Sequence, residues 1–143
     1  MIATLEQAIA LAAQAHAGQV DKAGAPYILH CLRVMLAVEG RDERIVAVLH
    51  DIIEDTAVTA SYLRSMGFSE TVIEAVVALT RLDGESYEAF IGRVHLNSLA
   101  RTVKMADLRD NMDLSRFGRE PTLEDHERNV KYASAWARLR QWT

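Results

Sequence analysis

The stretch Val48–Val58, VLHDIIEDTAV, sets four ionisable residues, His50, Asp51, Glu54 and Asp55, among aliphatic residues fit for a protein interior. At roughly 100° per residue on an α-helix, those four fall within an arc of about 140°, and Val48, Leu49, Ile52 and Ile53 take the other side. The segment predicts an amphipathic helix. Its polar arc has two readings: a face turned to water, as most charged helix faces are, or a chemical site. The rest of the chain has to choose between them.

Helical spacing continues almost throughout, and nothing longer than a few residues alternates in the manner of a strand, so the expected fold is all-α. Thr4 with Gln7 forms a capping box for a first helix running to about Ala17, closed by Gly18. After the loop GQVDKAGAPY, a second helix starts near Pro26 and carries Ile28, Leu32, Met35 and Leu36 on one side as far as Gly40. A third holds the opening motif. Thr59 caps a short helix to Met66, Ser69 another through Leu79, and Ser86 begins the next. A buried helix with Leu99, Val103, Ala106 and Leu108 follows, and a last one spans about Leu123 to Trp142. That makes about eight helices, with no room for a sheet.

The chain has 143 residues, two prolines and seven glycines, with no linker-like stretch and no internal repeat; it is expected to form one compact domain over residues 1–143. A net charge of −4 argues against a sequence-independent nucleic-acid binder, which draws on many Lys and Arg contacts to phosphates. The N-terminal stretch lacks the basic leader of a secretory signal, and no apolar run approaches membrane-spanning length, so a cytoplasmic protein without membrane contact is expected. The single cysteine, Cys31, excludes a thiolate zinc site and reads as a small packed residue.

His30, in PYILHCLRV, stands on a helix otherwise lined with aliphatic residues, and Asp107, in VKMADLRDN, stands on another. A lone histidine there is more often a satisfied core residue, but a buried aspartate costs several kcal/mol unless a cation or hydrogen bonds compensate. Together His30, His50, Asp51 and Asp107 supply two imidazoles and two carboxylates from three helices. This mixed set suits Mn²⁺, Fe²⁺ or Zn²⁺ and leaves positions open for water or substrate.

The arrangement resembles the HD-domain metal-dependent phosphohydrolases, whose pattern is a histidine, a His-Asp pair and a distant aspartate. The longer stretches HAGQVDKAGAPYILH, VLHDIIEDT and VKMADLRDN are similar to successive motifs of the alarmone hydrolase branch, that is, RelA/SpoT hydrolase domains and small stand-alone alarmone hydrolases. The similarity covers about residues 5 to 142, and the lack of a synthetase module makes the stand-alone members the nearer likeness. The resemblance implies His30, His50, Asp51 and Asp107 as ligands of Mn²⁺ and Glu54 and Asp55 as a catalytic acidic pair. On a continuous helix, each of that pair lies one turn beyond a ligand, over the open side of the ion. It also implies Lys22, Tyr27, Asn111, Arg128 and Tyr132 as substrate contacts, the last two after a one-residue adjustment of the alignment.

Two positions depart from the family. Asp21 stands where bifunctional relatives usually carry an arginine that can stack on guanine, and Asp113 stands where they commonly carry another. Both exchange positive for negative charge, which weakens attraction to a heavily phosphorylated nucleotide unless Lys22, Lys104, Arg109 or Arg116 compensates. The leading expectation is hydrolysis of ppGpp to GDP and pyrophosphate. The alternatives are a phosphatase for another small nucleotide, such as a 3′-nucleotide or a phosphorylated dinucleotide cofactor, and a non-catalytic nucleotide sensor. His95 and Glu85 lie outside the motifs and are read as structural or surface residues, His16 and His126 carry no signal of a site, Trp136 and Trp142 are read as packing, and a homodimer stays open.

Overall fold

The computed structural model describes residues 2–141. Among these the chain folds into α1 (Leu5–Ala15), α2 (Ile28–Leu36), α3 (Arg41–Leu49), α4 (Ile52–Asp55), α5 (Ala60–Ser65), α6 (Glu70–Ala78), α7 (Tyr87–His95), α8 (Ser98–Met112) and α9 (Leu123–Arg140). A 3₁₀ turn (Ser115–Phe117) precedes α9. No strand occurs among the described residues; a lone bridge between Val20 and Pro26 closes the loop after α1.

The helix starts follow local chemistry. Thr4 and Gln7 form the reciprocal capping box expected of them, and Thr59, Ser69, Ser86 and Asn97 each accept a hydrogen bond from a first-turn backbone N–H. Thr122 and Asp125 make a second capping box. Each such cap is worth about 1 kcal/mol. Gly18, at φ 86°, turns the chain out of α1 through a conformation that a side chain disfavours.

The core is built on α3. Ile45, Val46, Ala47, Val48 and Leu49 are buried on every side, because α1, α2, α6 and α8 all pack against this one helix. A helix apolar all round belongs in the middle of a bundle. Its C-terminal end therefore lies deep inside the protein, and His50 and Asp51 come directly after it.

The eight expected helices are all present, but the third is broken in two. His50 N bonds back to Ala47 O at 3.4 Å, a tightened turn, and Asp51 leaves helical geometry at φ −104°, ψ 5°. Asp55 N then bonds to Asp51 O, restarting the helix as α4. The continuous helix expected through the motif is thus corrected to two helices meeting at the His-Asp pair.

The buried stripe of α2 is also rotated from the expected one. His30, Cys31, Val34 and Met35 are buried, Ile28 and Leu32 lie at the edge of the core, and Leu36 is 70% exposed. The α2 face that enters the interior is the one carrying His30. Cys31 is a buried free thiol, as expected. The proposed end of the last helix at Trp142 lies outside the described residues. No helix among those described is long and apolar enough to cross a membrane.

Candidate metal centre and adjoining pocket

His30, His50, Asp51 and Asp107 converge, each placing one ligand atom within 4.8 Å of the others. His30 Nε2 lies 3.3 Å from His50 Nε2 and 2.9 Å from Asp107 Oδ1. His50 Nε2 lies 3.2 Å from the same Asp107 oxygen and 3.0 Å from Asp51 Oδ2.

Each imidazole has its other nitrogen committed. His50 Nδ1–H donates to the Ala47 carbonyl at 2.6 Å, and His30 Nδ1–H donates to Asp110 Oδ2 at 2.6 Å. In the neutral rings both Nε2 atoms then present lone pairs, so two nitrogens and two carboxylate oxygens face one point with no donor among them. Such a set fits a cation. Donors about 2.1 Å from a common ion sit about 3.0 Å apart at right angles and about 3.4 Å apart at tetrahedral angles, close to the four spacings above.

The electrostatics agree. Burial opposes a charge on His30, yet its hydrogen bonds with Asp107 and Asp110 outweigh this and hold the ring above its ordinary range. Burial opposes a charge on His50 too, and the Asp51 and Asp107 carboxylates hold it well above. Burial alone would raise Asp107; the Lys104 and His50 charges keep it well below the usual carboxylate range. The cluster demands positive charge, whether from protons or from a metal ion.

Two residues around this cluster were not anticipated. Asp110 orients His30 and is itself gripped by Arg33, through Nε at 2.7 Å and Nη2 at 3.0 Å, with Arg116 at 3.5 Å. Arg33 lies three residues after His30 and Asp110 three after Asp107, so the helical repeat places both on the ligand faces, and this spacing was legible. Outer partners of metal-ligating histidines typically contribute 10–100-fold in metal affinity. Asp110→Ala is expected to weaken metal binding within that range while leaving the ligand set intact, as measured by competition with a chelator.

Glu54 and Asp55 bring carboxylate oxygens within 4.8 Å of Asp51. Arg81 N donates to Glu54 Oε1 at 2.8 Å, and Gln19 Nε2 donates to the Asp55 carbonyl at 3.0 Å. Partial loss of solvent, with the Asp51 and Glu54 charges, pushes the Asp55 carboxyl up to about 6. Gln19 is in turn bonded to His16, a buried histidine whose ring lies 5.2 Å from that of Tyr27. His16 is therefore structural support for this arm, and its position in the first helix gave no sign of that.

The five expected substrate contacts, Lys22, Tyr27, Asn111, Arg128 and Tyr132, line one pocket of about 230 Å³ that opens onto His30. Tyr27 also donates from its hydroxyl to Asp51 Oδ2, and Asn111 Nδ2 donates to Asp107 Oδ1 at 3.1 Å. Arg128 is paired with Asp125.

Asp21 spends its charge within its own loop: Oδ1 accepts from Ala23 N and Ala25 N, and Oδ2 pairs with Arg116 at 3.2 Å. Asp113 accepts from Ser115 N and Oγ, anchoring the 3₁₀ turn. Of the compensating cations, Arg116 and Lys22 line the pocket and Lys104 reaches Asp107. Arg109 instead covers Trp136. Glu85 pairs with Arg93, a structural role as read. A larger groove, about 990 Å³, lies against α2 and α8 and meets the site only through Arg33 and Asp110.

An all-helical shell that focuses two histidines and two aspartates on one point defines a class of helical metal-binding proteins. The chain belongs to the HD domain family, whose profile matches residues 8–112. It is 35% identical over 129 residues to a probable GTP pyrophosphokinase of Mycobacterium leprae, an alignment covering 81% of this chain and 16% of that protein. It is 32% identical over 126 residues to the bifunctional (p)ppGpp synthase/hydrolase SpoT of Escherichia coli K12, covering 78% of this chain and 18% of that one. The chain thus spans about a sixth of the length of these relatives, whose names describe much longer proteins. Its fold matches a solved structure described as a metazoan ortholog of SpoT that hydrolyzes ppGpp. The TM-score is 0.79 at 22% identity, over 100% of this chain and 88% of that one.

Proposed function

We propose that this chain removes the 3′-pyrophosphoryl group of a guanosine alarmone, converting ppGpp to GDP and pyrophosphate. His30, His50, Asp51 and Asp107 would hold one divalent transition ion; the mixed nitrogen and oxygen set suits Mn²⁺, Fe²⁺ or Zn²⁺, and the family resemblance implies Mn²⁺. The observation that carries the reading is the position of Glu54 and Asp55: both carboxylates stand against Asp51, one of the four converging residues. A sensor needs the pocket but has no use for such a pair. The relative named as a (p)ppGpp synthase/hydrolase supports the same substrate.

An ion held by His30, His50, Asp51 and Asp107 would supply Lewis acidity for attack at phosphorus. Glu54, fixed by the Arg81 N–H, orients a water molecule. Asp55, whose carboxyl is pushed up by partial loss of solvent and by the Asp51 and Glu54 charges, stands beside it to share the proton work. The water oxygen bonds to phosphorus as its proton passes to the carboxylate pair. The bond from phosphorus to the 3′ oxygen breaks, and that oxygen leaves with the proton. Lys22 and Arg128 face the phosphates from the pocket, and Tyr27 and Tyr132 supply ring surfaces for the nucleoside.

The test is an Mn²⁺-supplemented assay of the purified protein with ppGpp, a 3′-nucleotide and a phosphorylated dinucleotide cofactor, with products separated and identified. GDP and pyrophosphate in equal amounts are expected. Release of orthophosphate alone would move the chain to the nucleotide phosphatases, and binding without turnover would make it a sensor; either result rejects the proposal.

A further inference from the structure

The flank of the site beside Glu54 gathers three cations around two aromatic rings. Lys131, exposed on α9, holds its Nζ 4.0 Å from the centre of the Tyr87 ring, and the Arg81 guanidinium stands 5.8 Å from the same centre. Lys104 continues the series inward: its Nζ lies 5.3 Å from the Phe90 ring and 2.8 Å from Asp107 Oδ2. Among the described residues neither Lys131 nor Lys22 has a carboxylate at ion-pair distance. Arg81 spends only its Nε, on the Glu85 carbonyl. Partial burial and the charges of Arg81, Lys104 and Lys22 together disfavour the Lys131 ammonium, and no acid offsets them. The Tyr87 hydroxyl is buried without a hydrogen-bond partner, within the influence of Lys104, Asp107 and Arg81.

Like charges crowd together in this way where an anion is to be received. The cluster adjoins the Arg81 N–H that holds Glu54, and neither Arg81 nor Lys131 lines the pocket that holds Asp21 and Arg116. A monophosphoryl group centred on the four converging residues leaves Arg81 and Lys131 without a partner. A pyrophosphoryl group carries a second phosphate, with further charge and acceptor oxygens, and can reach them.

On the basis of the phosphohydrolase reading, we propose that Arg81, Lys131 and the Tyr87 hydroxyl form a subsite for the outer phosphate of a pyrophosphoryl group. The chain is thereby selective for pyrophosphoryl over monophosphoryl at the position that is cleaved. The subsite binds inorganic pyrophosphate as product for the same reason.

Calorimetric titration of the metal-loaded protein tests this with two probes: orthophosphate, and pyrophosphate saturated with Mg²⁺ so that it does not strip the site. Pyrophosphate is expected to bind about tenfold more tightly than orthophosphate, and Lys131→Met and Arg81→Met each to cut that preference about three- to tenfold. Arg64→Met, which removes the same charge from a residue whose charge partner is Glu70, is expected to leave the preference unchanged. Equal affinity for the two anions, or a preference that survives in the Arg81/Lys131 double variant, overturns the subsite. Because binding is read without turnover, a Lys131-dependent preference in a protein that hydrolyses no nucleotide upholds the subsite and rejects the catalytic reading separately.

Discussion

Asp107→Ala is expected to yield a protein that retains no stoichiometric divalent ion after purification and shows no measurable nucleotide hydrolysis. Asp107 Oδ1 stands 2.9 Å from His30 Nε2 and 3.2 Å from His50 Nε2, so it is the oxygen that ties the two imidazoles into one set. Removing it deletes one of four donors and much of the negative charge that draws a cation inward. Since the loss of a supporting partner alone costs 10–100-fold in affinity, the loss of a ligand is expected to cost more than about 100-fold. The metal-free variant is also expected to be less stable. Lys104 Nζ, 2.8 Å from Asp107 Oδ2 and 14% exposed, loses its carboxylate, and breaking a buried pair from one side costs about 3–5 kcal/mol. Elemental analysis and urea unfolding read the two effects apart. Asp107→Asn keeps the shape and a hydrogen-bonding oxygen but removes the charge, so it should fold better than Asp107→Ala and still bind metal poorly. Full metal occupancy in either variant would show that Asp107 is not a ligand.

The four converging residues were legible because they violate the apolar pattern around them. His30 and Asp107 interrupt helix faces that would otherwise be aliphatic, and an interruption that a core does not tolerate marks a site. Helix starts were equally plain: Thr4, Thr59, Ser69 and Ser86 announce themselves by side-chain chemistry that acts within one turn. The break at His50–Asp51 left no such trace, since neither glycine nor proline stands there. It is made by tertiary demands. Leu49 and Ile52 are both fully buried on either side of the break, while His50 and Asp51 turn together toward Asp107, and helical periodicity describes a straight rod.

Charge substitutions at Asp21 and Asp113 were read from their place in the motifs as losses to the substrate. In the folded chain, each carboxylate is satisfied by neighbours within four residues, and Asp21 also by Arg116. Arg116 comes from the turn after α8, far along the chain from Asp21, and it brings a guanidinium to the pocket wall beside that residue. Arg116 is among the four cations that the sequence offers to compensate, but motif comparison position by position does not say which of them reaches the pocket. The same limit hid Arg81 and Lys131, which meet over one ring from a loop and from the last helix.

Glu54→Gln and Asp55→Asn are expected to lower kcat by about 10²–10⁴ each, the range removed with a positioned acid or base, while metal content stays at the wild-type level. Neither residue belongs to the four that converge, and both exchanges preserve shape and volume. If the pair acts on one water molecule as proposed, the double variant is expected to fall little below the weaker single one. The pH profile separates the two residues. Asp55 is raised to about 6 by partial loss of solvent and by the negative charges of Asp51 and Glu54. A cation bound beside Asp51 opposes those charges and brings it down. Its carboxylate form is therefore present above a pKa at or below about 6, and activity is expected to fall as pH drops through that value. Asp55→Asn should remove this acidic limb along with most of the rate, and Glu54→Gln should retain the limb on its reduced rate. Metal binding weakens at low pH as well, because protons compete for His30 and His50; running the profile at saturating metal keeps that loss out of kcat. A limb of unchanged position in Asp55→Asn would assign the titration to another group and leave Asp55 without a role in proton transfer.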